Sequence, residues 1–178
     1  MKNSLNREYQ FYNAEERQCL SSGSRFGRDA VKDLPKILTH SEFVKHVKAA
    51  PFPPLVLKSP VTEVMLAYFP SDLSSDCKDA AAARFKHFAK TGLGNCSDVK
   101  GVSYGWGLEN NFPVRGGDEG QTGSILLAFI GWPSVEAHLK FKETEAFKKN
   151  VGWITGMEGL IKVIMLHISC RSLDRQIA

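Results

Sequence analysis

The sequence predicts an α+β fold in which one antiparallel sheet carries two helices on one of its faces. Six segments follow one another in the order β-α-β-β-α-β, four rich in β-branched and aromatic residues and two with helix-forming composition. The chain has 178 residues, of which 43% are hydrophobic and 24% charged, as is typical of one globular domain with an extension. This order is the ferredoxin-like, split βαβ arrangement.

Each element has its own local signal. The first strand is predicted over Val61–Phe69, where an apolar run stops at Pro70. The first helix is alanine-rich and ends before Gly92, and the second begins after the capping residue Ser134. The predicted bounds of the other elements are a helix over Asp76–Thr91, strands over Val102–Leu108 and Ser124–Ile130, a helix over Ser134–Val151 and a strand over Leu160–Ser169.

The first part of the chain differs in composition from the rest. Residues 1–59 are predicted to be a partly disordered extension, with a helix from Thr39 to Ala50 whose apolar stripe is Phe43, Val44 and Val47. This helix should end at Pro51, which lacks the backbone N–H. The main domain is then expected over residues 60–170, followed by a tail over 171–178.

The predicted strands are apolar on both faces. In the first strand Met65 and Phe69 point to one face, whereas Leu66 and Tyr68 point to the other. Two helices cover only one face, so the second face needs another cover. We expect a homodimer packed sheet to sheet, or a partner segment within the chain.

Composition excludes several classes of protein. The net charge of +4, from 23 basic and 19 acidic residues, is far from that of a dedicated nucleic-acid binder. No apolar stretch approaches the about 18 residues of a membrane span, and no signal peptide precedes the domain, so a soluble, reduced, cytoplasmic protein is expected. The four cysteines have no zinc-site spacing.

One long loop, residues 110–123, connects two predicted strands. Its glycines lack the lysine and hydroxyl residue of a phosphate loop, so nucleotide binding is disfavoured. We expect a mobile flap, with Arg115 as its charged residue and the role of a lid over a site.

The segment GWPSVEAHLKFKETEAF, from Gly131 to Phe147, resembles the W-x-S-x-E-A-H-x-x-F-x-x-T-x-x-F segment of fungal dimeric α/β-barrel proteins. This superfamily includes the antibiotic-biosynthesis-monooxygenase-like and stress-responsive barrel proteins. The resemblance covers residues 60–170 and implies a cleft between sheet and helices. A fainter similarity, over Ser41–Phe52, is to the second helix of another copy of the module, and implies the remnant of an upstream repeat.

The candidate catalytic residues are His138, Tyr104 and Trp132. A histidine serves as acid or base near neutral pH, and the resemblance implies a cleft with polar groups at its rim. His138 would move a proton while Trp132 or Tyr104 orients an oxygen. The structural alternatives are packing of His138 at the helix start beside Trp132 and a packing role for the indole.

The candidate substrate-binding residues are Trp106, Phe129, Met65, His87 and Arg115. In the second strand the small residues Ser103, Gly105 and Gly107 share one face, which leaves space for a flat ligand or for a helix side chain such as Phe85 or Phe88. Tyr104 and Trp106 would line a pocket or a dimer interface on the other face. His87 would face solvent or the mouth of the cleft.

The resemblance implies a cofactor-free enzyme of fungal secondary metabolism, an oxygenase, cyclase or dehydratase acting on an aromatic or polyketide-like molecule. One alternative is a non-catalytic dimeric barrel that binds a small apolar ligand or acts in stress response. Another is a haem-binding barrel with His138 or His167 as the ligand, although a hydrogen-bonded core residue is the default interpretation of His167. Glu63 is isolated in the sequence, and no paired-carboxylate site stands out.

Overall fold

One six-stranded antiparallel sheet forms the frame of the protein. The computed structural model describes residues 45–51 and 55–170. In chain order the elements are β1 (Val47–Ala50), β2 (Val61–Phe69), α1 (Ser75–Thr91), β3 (Gly101–Gly107), β4 (Phe112–Pro113), β5 (Thr122–Trp132), α2 (Val135–Glu143), α3 (Glu145–Asn150), α4 (Gly152–Thr155) and β6 (Lys162–Ile168). Short 3-10 helices cover Leu55–Lys58 and Leu93–Asn95.

The strand order is β1-β3-β5-β2-β6, and β4 pairs with β5. The four strands β3-β5-β2-β6 are all antiparallel neighbours, with α1 and the α2–α4 segment in the two crossover positions. This is the ferredoxin-like order. The predicted α+β class is therefore confirmed, and β2 has the predicted bounds.

The helices begin at side-chain caps. The hydroxyl oxygens of Ser74 and Ser134 accept hydrogen bonds from backbone N–H groups of α1 and α2. The predicted second helix over Ser134–Val151 is wrong as a single element, because Thr144 ends α2 and caps α3 with its own hydroxyl. Among the described helices, none is both long and apolar enough to cross a bilayer.

The chain divides into two units, Met1–His46 and Val47–Ala178. The predicted helix over Thr39–Ala50 is wrong over Val47–Ala50, which forms β1 and pairs with β3. The division also lies before the predicted domain boundary at residue 59. The remaining predictions for the extension fall largely on residues 1–44 and 52–54, and the predicted tail covers 171–178, all outside the described residues.

Both faces of the sheet are apolar, as predicted. The helix face carries the larger core, which includes Met65, Phe69, Phe85 and Trp132. The opposite face is partly covered by the chain itself, through Val56 of the first 3-10 helix and through β1. Along β6, apolar side chains of this face stay half-buried: Ile164, Leu166 and Ile168.

The loop over residues 110–123 is a hairpin extension, so the predicted flap is wrong. Phe112 and Val114 are buried against Tyr68 and Ile125, on the face opposite the helices. Backbone hydrogen bonds close the turn, and the Lys162 ammonium donates to the Gly116 carbonyl. The hairpin therefore covers the sheet and does not lie over the helix face.

Gly105 controls how closely β1 can approach β3. It pairs with Ala49, and a Cβ at Gly105 would overlap the Lys48 carbonyl group and lie 2.8 Å from the Ala49 Cα. The small-residue face of β3 is thus filled by backbone, and by the Phe112 ring at Gly107, in place of the predicted ligand or helix side chain.

We expect Gly105→Ala to lower the free energy of unfolding by about 1–3 kcal/mol, because backbone cannot move aside cheaply. Amide hydrogen exchange at Val47–Ala50 should quicken. The control is Gly152→Ala, where an added Cβ meets nothing within 4 Å. Unchanged stability and protection in Gly105→Ala would contradict this account of β1.

Candidate active site

A buried carboxyl and two histidines lie together on the helix face of the sheet. Glu63 of β2 is the direct neighbour of His167 of β6 in the antiparallel register, so both side chains project to the same face. His138 comes down from α2. Its Nε2 is 3.4 Å from Glu63 Oε2, and its Nδ1 is 2.7 Å from His167 Nε2.

Trp132 fixes the carboxyl from the end of β5. Its indole Nε1–H donates a hydrogen bond of 3.0 Å to Glu63 Oε2, and its ring stacks on His138 with centroids 5.2 Å apart. The indole is fully buried. One carboxyl oxygen of Glu63 therefore faces both the indole donor and the imidazole.

Burial shifts the proton affinities of these groups in opposite directions. Desolvation raises the pKa of Glu63 to about 7, against the lowering effects of the Trp132 hydrogen bond and the Lys142 charge. Desolvation, together with the smaller effects of the His167 and Lys142 charges, lowers the pKa of His138 to about 4. The pKa of His167, whose ring is only partly desolvated, is lowered first by that desolvation and then by the Lys142 charge.

At neutral pH the contact between Glu63 and His138 therefore joins a carboxyl near its midpoint to a neutral imidazole. It is a polar contact of 3.4 Å and not an ion pair, because the imidazole carries no charge. A carboxyl that is half-protonated at pH 7 serves equally as acid and as base.

A cavity of about 60 Å³ lies between the helices and the sheet, with Glu63 and His138 in its wall. Nearly all of its other lining is apolar: Met65, Phe88, Leu93, Ile130, Phe141, Phe147, Val151, Ile154, Val163 and Met165, together with Thr155. Met165 and Thr155 are exposed, so the cavity comes nearest to solvent between β6 and α4. The arrangement is an apolar pocket with acid–base groups in its wall.

The size of the cavity limits what it holds. An engineered apolar cavity that binds benzene has a volume of about 150 Å³, and this cavity is less than half as large. An aromatic substrate would need the lining side chains to move. A porphyrin does not fit, and both His138 ring nitrogens are engaged by Glu63 and His167, so the residues do not suit haem.

Three of the predicted site residues meet here. His138 and Met65 line the cavity, and Trp132 supports Glu63 from behind. The prediction that His138 packs beside Trp132 also holds, because the two rings stack.

Tyr104 and Trp106 lie on the helix face but not in the cavity wall. The Tyr104 ring packs on Phe85 at 4.7 Å, and the Trp106 ring packs on Phe69 at 5.2 Å. The predicted catalytic role of Tyr104 and binding role of Trp106 therefore find no support in this cavity.

Three other predicted binding residues are also elsewhere. Phe129 is buried on the opposite face of the sheet with Val64. His87 is exposed on α1 and packs at a tilt on Trp153, with ring centroids 4.1 Å apart. Arg115 lies in the hairpin extension, outside the cavity wall. None of the three lies in the wall of this cavity, and their contact with a substrate stays a prediction.

The sequence interpretation missed Glu63, which it treated as isolated. The available signal was period two, since Glu63 shares the face of Met65, Ala67 and Phe69 in an otherwise apolar strand. His167 is hydrogen-bonded, as expected, but exposed, because β6 is an edge strand. Among the described residues, no group of three or more histidine, cysteine or acidic side chains is arranged to hold a metal ion.

Comparisons with known proteins find no close relative and only distant likeness to solved structures. No family model matches the chain, and no curated protein matches it in sequence. An Arabidopsis thaliana protein of solved structure is similar over 65% of this chain and 99% of its own, with 17% identity and a TM-score of 0.44.

Two further solved structures have comparable similarity. A dimeric protein of unknown function and ferredoxin-like fold from Bacteroides fragilis covers 63% of this chain and 98% of its own, with 11% identity and a TM-score of 0.41. A variant of SnoaB, a cofactor-independent oxygenase from Streptomyces nogalater, covers 63% of this chain and 93% of its own, with 11% identity and a TM-score of 0.42. At these levels no activity carries over.

Proposed function

We propose that this protein is a cofactor-free enzyme that performs acid–base chemistry on a small, largely apolar molecule bound between its helices and its sheet. The observation that carries this proposal is the buried Glu63 carboxyl, held against His138 in the wall of an apolar cavity. Burying such a group without a use is costly. Buried ionisable groups with shifted pKa values in a pocket are typical of catalytic sites.

Each group has a distinct part in this chemistry. Glu63 takes a proton from the substrate or returns one, since its pKa of about 7 suits both directions at neutral pH. Trp132 holds the carboxyl in place through its N–H, and the stacked indole fixes the His138 ring. The apolar lining keeps water from competing for the proton.

The proposed reaction type follows from the resemblance of the segment Gly131–Phe147 to dimeric α/β-barrel proteins. Cofactor-free oxygenases, cyclases and dehydratases of secondary metabolism all require a proton to leave or join an activated carbon or oxygen, which is the step that Glu63 and His138 supply. The cavity favours a small substrate, or the end of an aromatic or polyketide-like one that enters past Met165 and Thr155. We include in this proposal that the enzyme acts in fungal secondary metabolism.

A non-catalytic barrel that binds a small apolar ligand is the second candidate. It is favoured by the small volume of the cavity and by the contacts that Glu63 already makes, a hydrogen bond from the Trp132 indole and a 3.4 Å approach to His138. In that case the polar groups would stabilise the fold, and the ligand would be released unchanged.

The test starts from the molecule that the protein itself retains. Native mass spectrometry of the full purified chain identifies a co-purified ligand, which is then offered back in aerated buffer while products are followed. We expect Glu63→Gln and His138→Gln each to reduce turnover by about 10²–10⁴-fold. The control is Glu145→Gln, which changes an exposed carboxyl on α3.

Equal turnover by wild type and both variants would overturn the catalytic role. Retention of the ligand without any product, in wild type and variants alike, would establish the non-catalytic alternative. Far-UV circular dichroism of each variant separates loss of chemistry from loss of fold.

The homodimer through the sheet also stays a proposal. Its support is the half-buried strip of Ile164, Leu166 and Ile168 on β6, which the chain itself leaves partly uncovered. The strip is narrower than the sequence predicted, because β1 and the hairpin cover the rest of that face.

A further inference from the structure

His167 connects the buried acid–base pair to the surface. Glu63 and His138 are 3% and 5% exposed, whereas His167 is exposed on the edge strand β6. Its Nε2 lies 2.7 Å from Nδ1 of His138, and the other His138 nitrogen lies 3.4 Å from Glu63 Oε2. The three side chains form a row from the cavity wall to solvent, in which the 3.4 Å contact between Glu63 and His138 is the longer one and must shorten for a proton to pass.

We propose that this row is a proton relay, in which His138 and His167 exchange tautomers together to pass protons between the Glu63 carboxyl and solvent. His167 is then a positioning residue that acts through His138 and touches no substrate. The purpose of the relay rests on the proposed function, because an acid–base enzyme must reset its carboxyl after each turnover. The coupling between the rings rests on the geometry alone.

The relay has two resting arrangements. With Glu63 protonated, its O–H donates to His138 Nε2, His138 Nδ1–H donates to His167 Nε2, and His167 carries its proton on Nδ1. With Glu63 ionised, His138 Nε2–H donates to the carboxylate, and His167 Nε2–H donates to His138 Nδ1. Each imidazole has one proton in both arrangements, so each hydrogen bond has one donor and one acceptor.

Passing from the first arrangement to the second moves three protons by one place each. The Glu63 O–H bond breaks as His138 gains Nε2–H, the His138 Nδ1–H bond breaks as His167 gains Nε2–H, and His167 releases its Nδ1 proton to water. One proton leaves the carboxyl and one reaches solvent, and Glu63 takes the negative charge. No oxidant or further reactant is needed.

The surrounding charges favour transfer without a stored positive charge. Apart from Glu63, His138 and His167 themselves, two groups influence where protons lie in the row. They are the Trp132 N–H from β5 and the Lys142 ammonium from α2. Lys142 disfavours a second proton on either ring, as does burial. Both effects favour neutral imidazoles, and therefore favour a tautomer exchange over a stored positive charge.

The decisive measurement is nitrogen-15 NMR of the imidazole rings of the full chain across pH 5.5–8.5, with the Glu63 carboxyl followed by carbon-13 NMR. Protonated and bare ring nitrogens give well-separated resonances, which report the tautomer directly. We expect both His138 and His167 to exchange the nitrogen that bears the proton, with the same midpoint as Glu63. A histidine that only packs would keep one tautomer throughout.

In Glu63→Gln the exchange should disappear from both rings, whereas the spectrum of His87, which packs on Trp153 away from the row, should match that of wild type. The proposal is overturned if His138 keeps one tautomer on both sides of the Glu63 midpoint, or if the two rings change at different pH values. The wild-type measurement alone decides this, even if the variant fails to fold.

The outcomes separate the relay from the proposed function. Coupled tautomers without any turnover would support the relay and overturn the proposed enzymatic function. Uncoupled tautomers in a protein whose Glu63→Gln variant loses turnover would support the enzymatic function and overturn the relay.

Discussion

Replacing Glu63 with Gln is expected to make the stability of the protein depend on pH in the opposite way from replacing His138 with Gln. Folding raises the pKa of Glu63 from 4.5 to about 7, so the folded state holds a proton that the unfolded state has lost. This contribution to stability is present below pH 4.5 and is lost as pH rises to 7. By linkage it amounts to about 3 kcal/mol.

His138 has the opposite sign. Folding lowers its pKa from 6.5 to about 4, so stability is present above pH 6.5 and is lost as pH falls to 4, again by about 3 kcal/mol. The lowered pKa of His167 acts in the same direction as that of His138. In the wild type the Glu63 and His138 contributions largely cancel between pH 4.5 and 6.5.

Each single variant removes one side of this balance. We expect the free energy of unfolding of Glu63→Gln, relative to wild type, to rise with pH between 4.5 and 7, and that of His138→Gln to fall with pH between 4 and 6.5. Urea unfolding at half-unit steps from pH 4 to 8 measures both. Glu145→Gln, at an exposed carboxyl, should give a flat difference, and slopes of equal sign in the two test variants would refute the opposed shifts.

The second large effect is expected in the core beneath the cavity. Phe85 is fully buried on α1 and packs on Tyr104 at 4.7 Å and on Phe88 at 6.3 Å. Phe85→Ala removes that ring and leaves a cavity, so we expect the free energy of unfolding to fall by about 3–5 kcal/mol. Denaturant unfolding at pH 7 measures the loss.

A matched truncation on α2 serves as the control. Leu139 is 50% exposed, so Leu139→Ala should change stability by less than about 0.5 kcal/mol. A loss below about 1 kcal/mol in Phe85→Ala would show that α1 does not anchor the helix layer to the sheet. Phe88, one turn further on, lines the cavity, so the same helix ties core packing to the site.

The parts of the fold that depend on local chemistry were predictable. β2 has its predicted bounds because a long apolar run ends at Pro70, and α1 begins and ends within a residue of prediction because Ser74 caps it and Gly92 follows it. β1 was not predictable. Its four residues suit a helix or a strand equally, and their pairing depends on Gly105, distant in sequence, having no Cβ.

The candidate site was predictable only in part. The sequence points to His138 because histidine at a helix start beside tryptophan is a recognisable combination, and the Trp132–His138 stack is observed. The environment of Glu63 is determined by the strand register, which places it opposite His167, and by the packing of α2, which brings His138 against it. Neither can be read from a single carboxyl in an apolar strand.

The hydrogen bond between Trp132 and Glu63 joins positions 69 residues apart. Contacts of such sequence separation form only after long loops have closed, and proteins dominated by them fold slowly. Glu63 and His138 thus keep their ordinary proton affinities until β2 and β5 have paired and α2 has docked. At pH 7 folding changes the carboxyl from ionised to about half-protonated and leaves the imidazole neutral, so the acid–base pair is a product of folding.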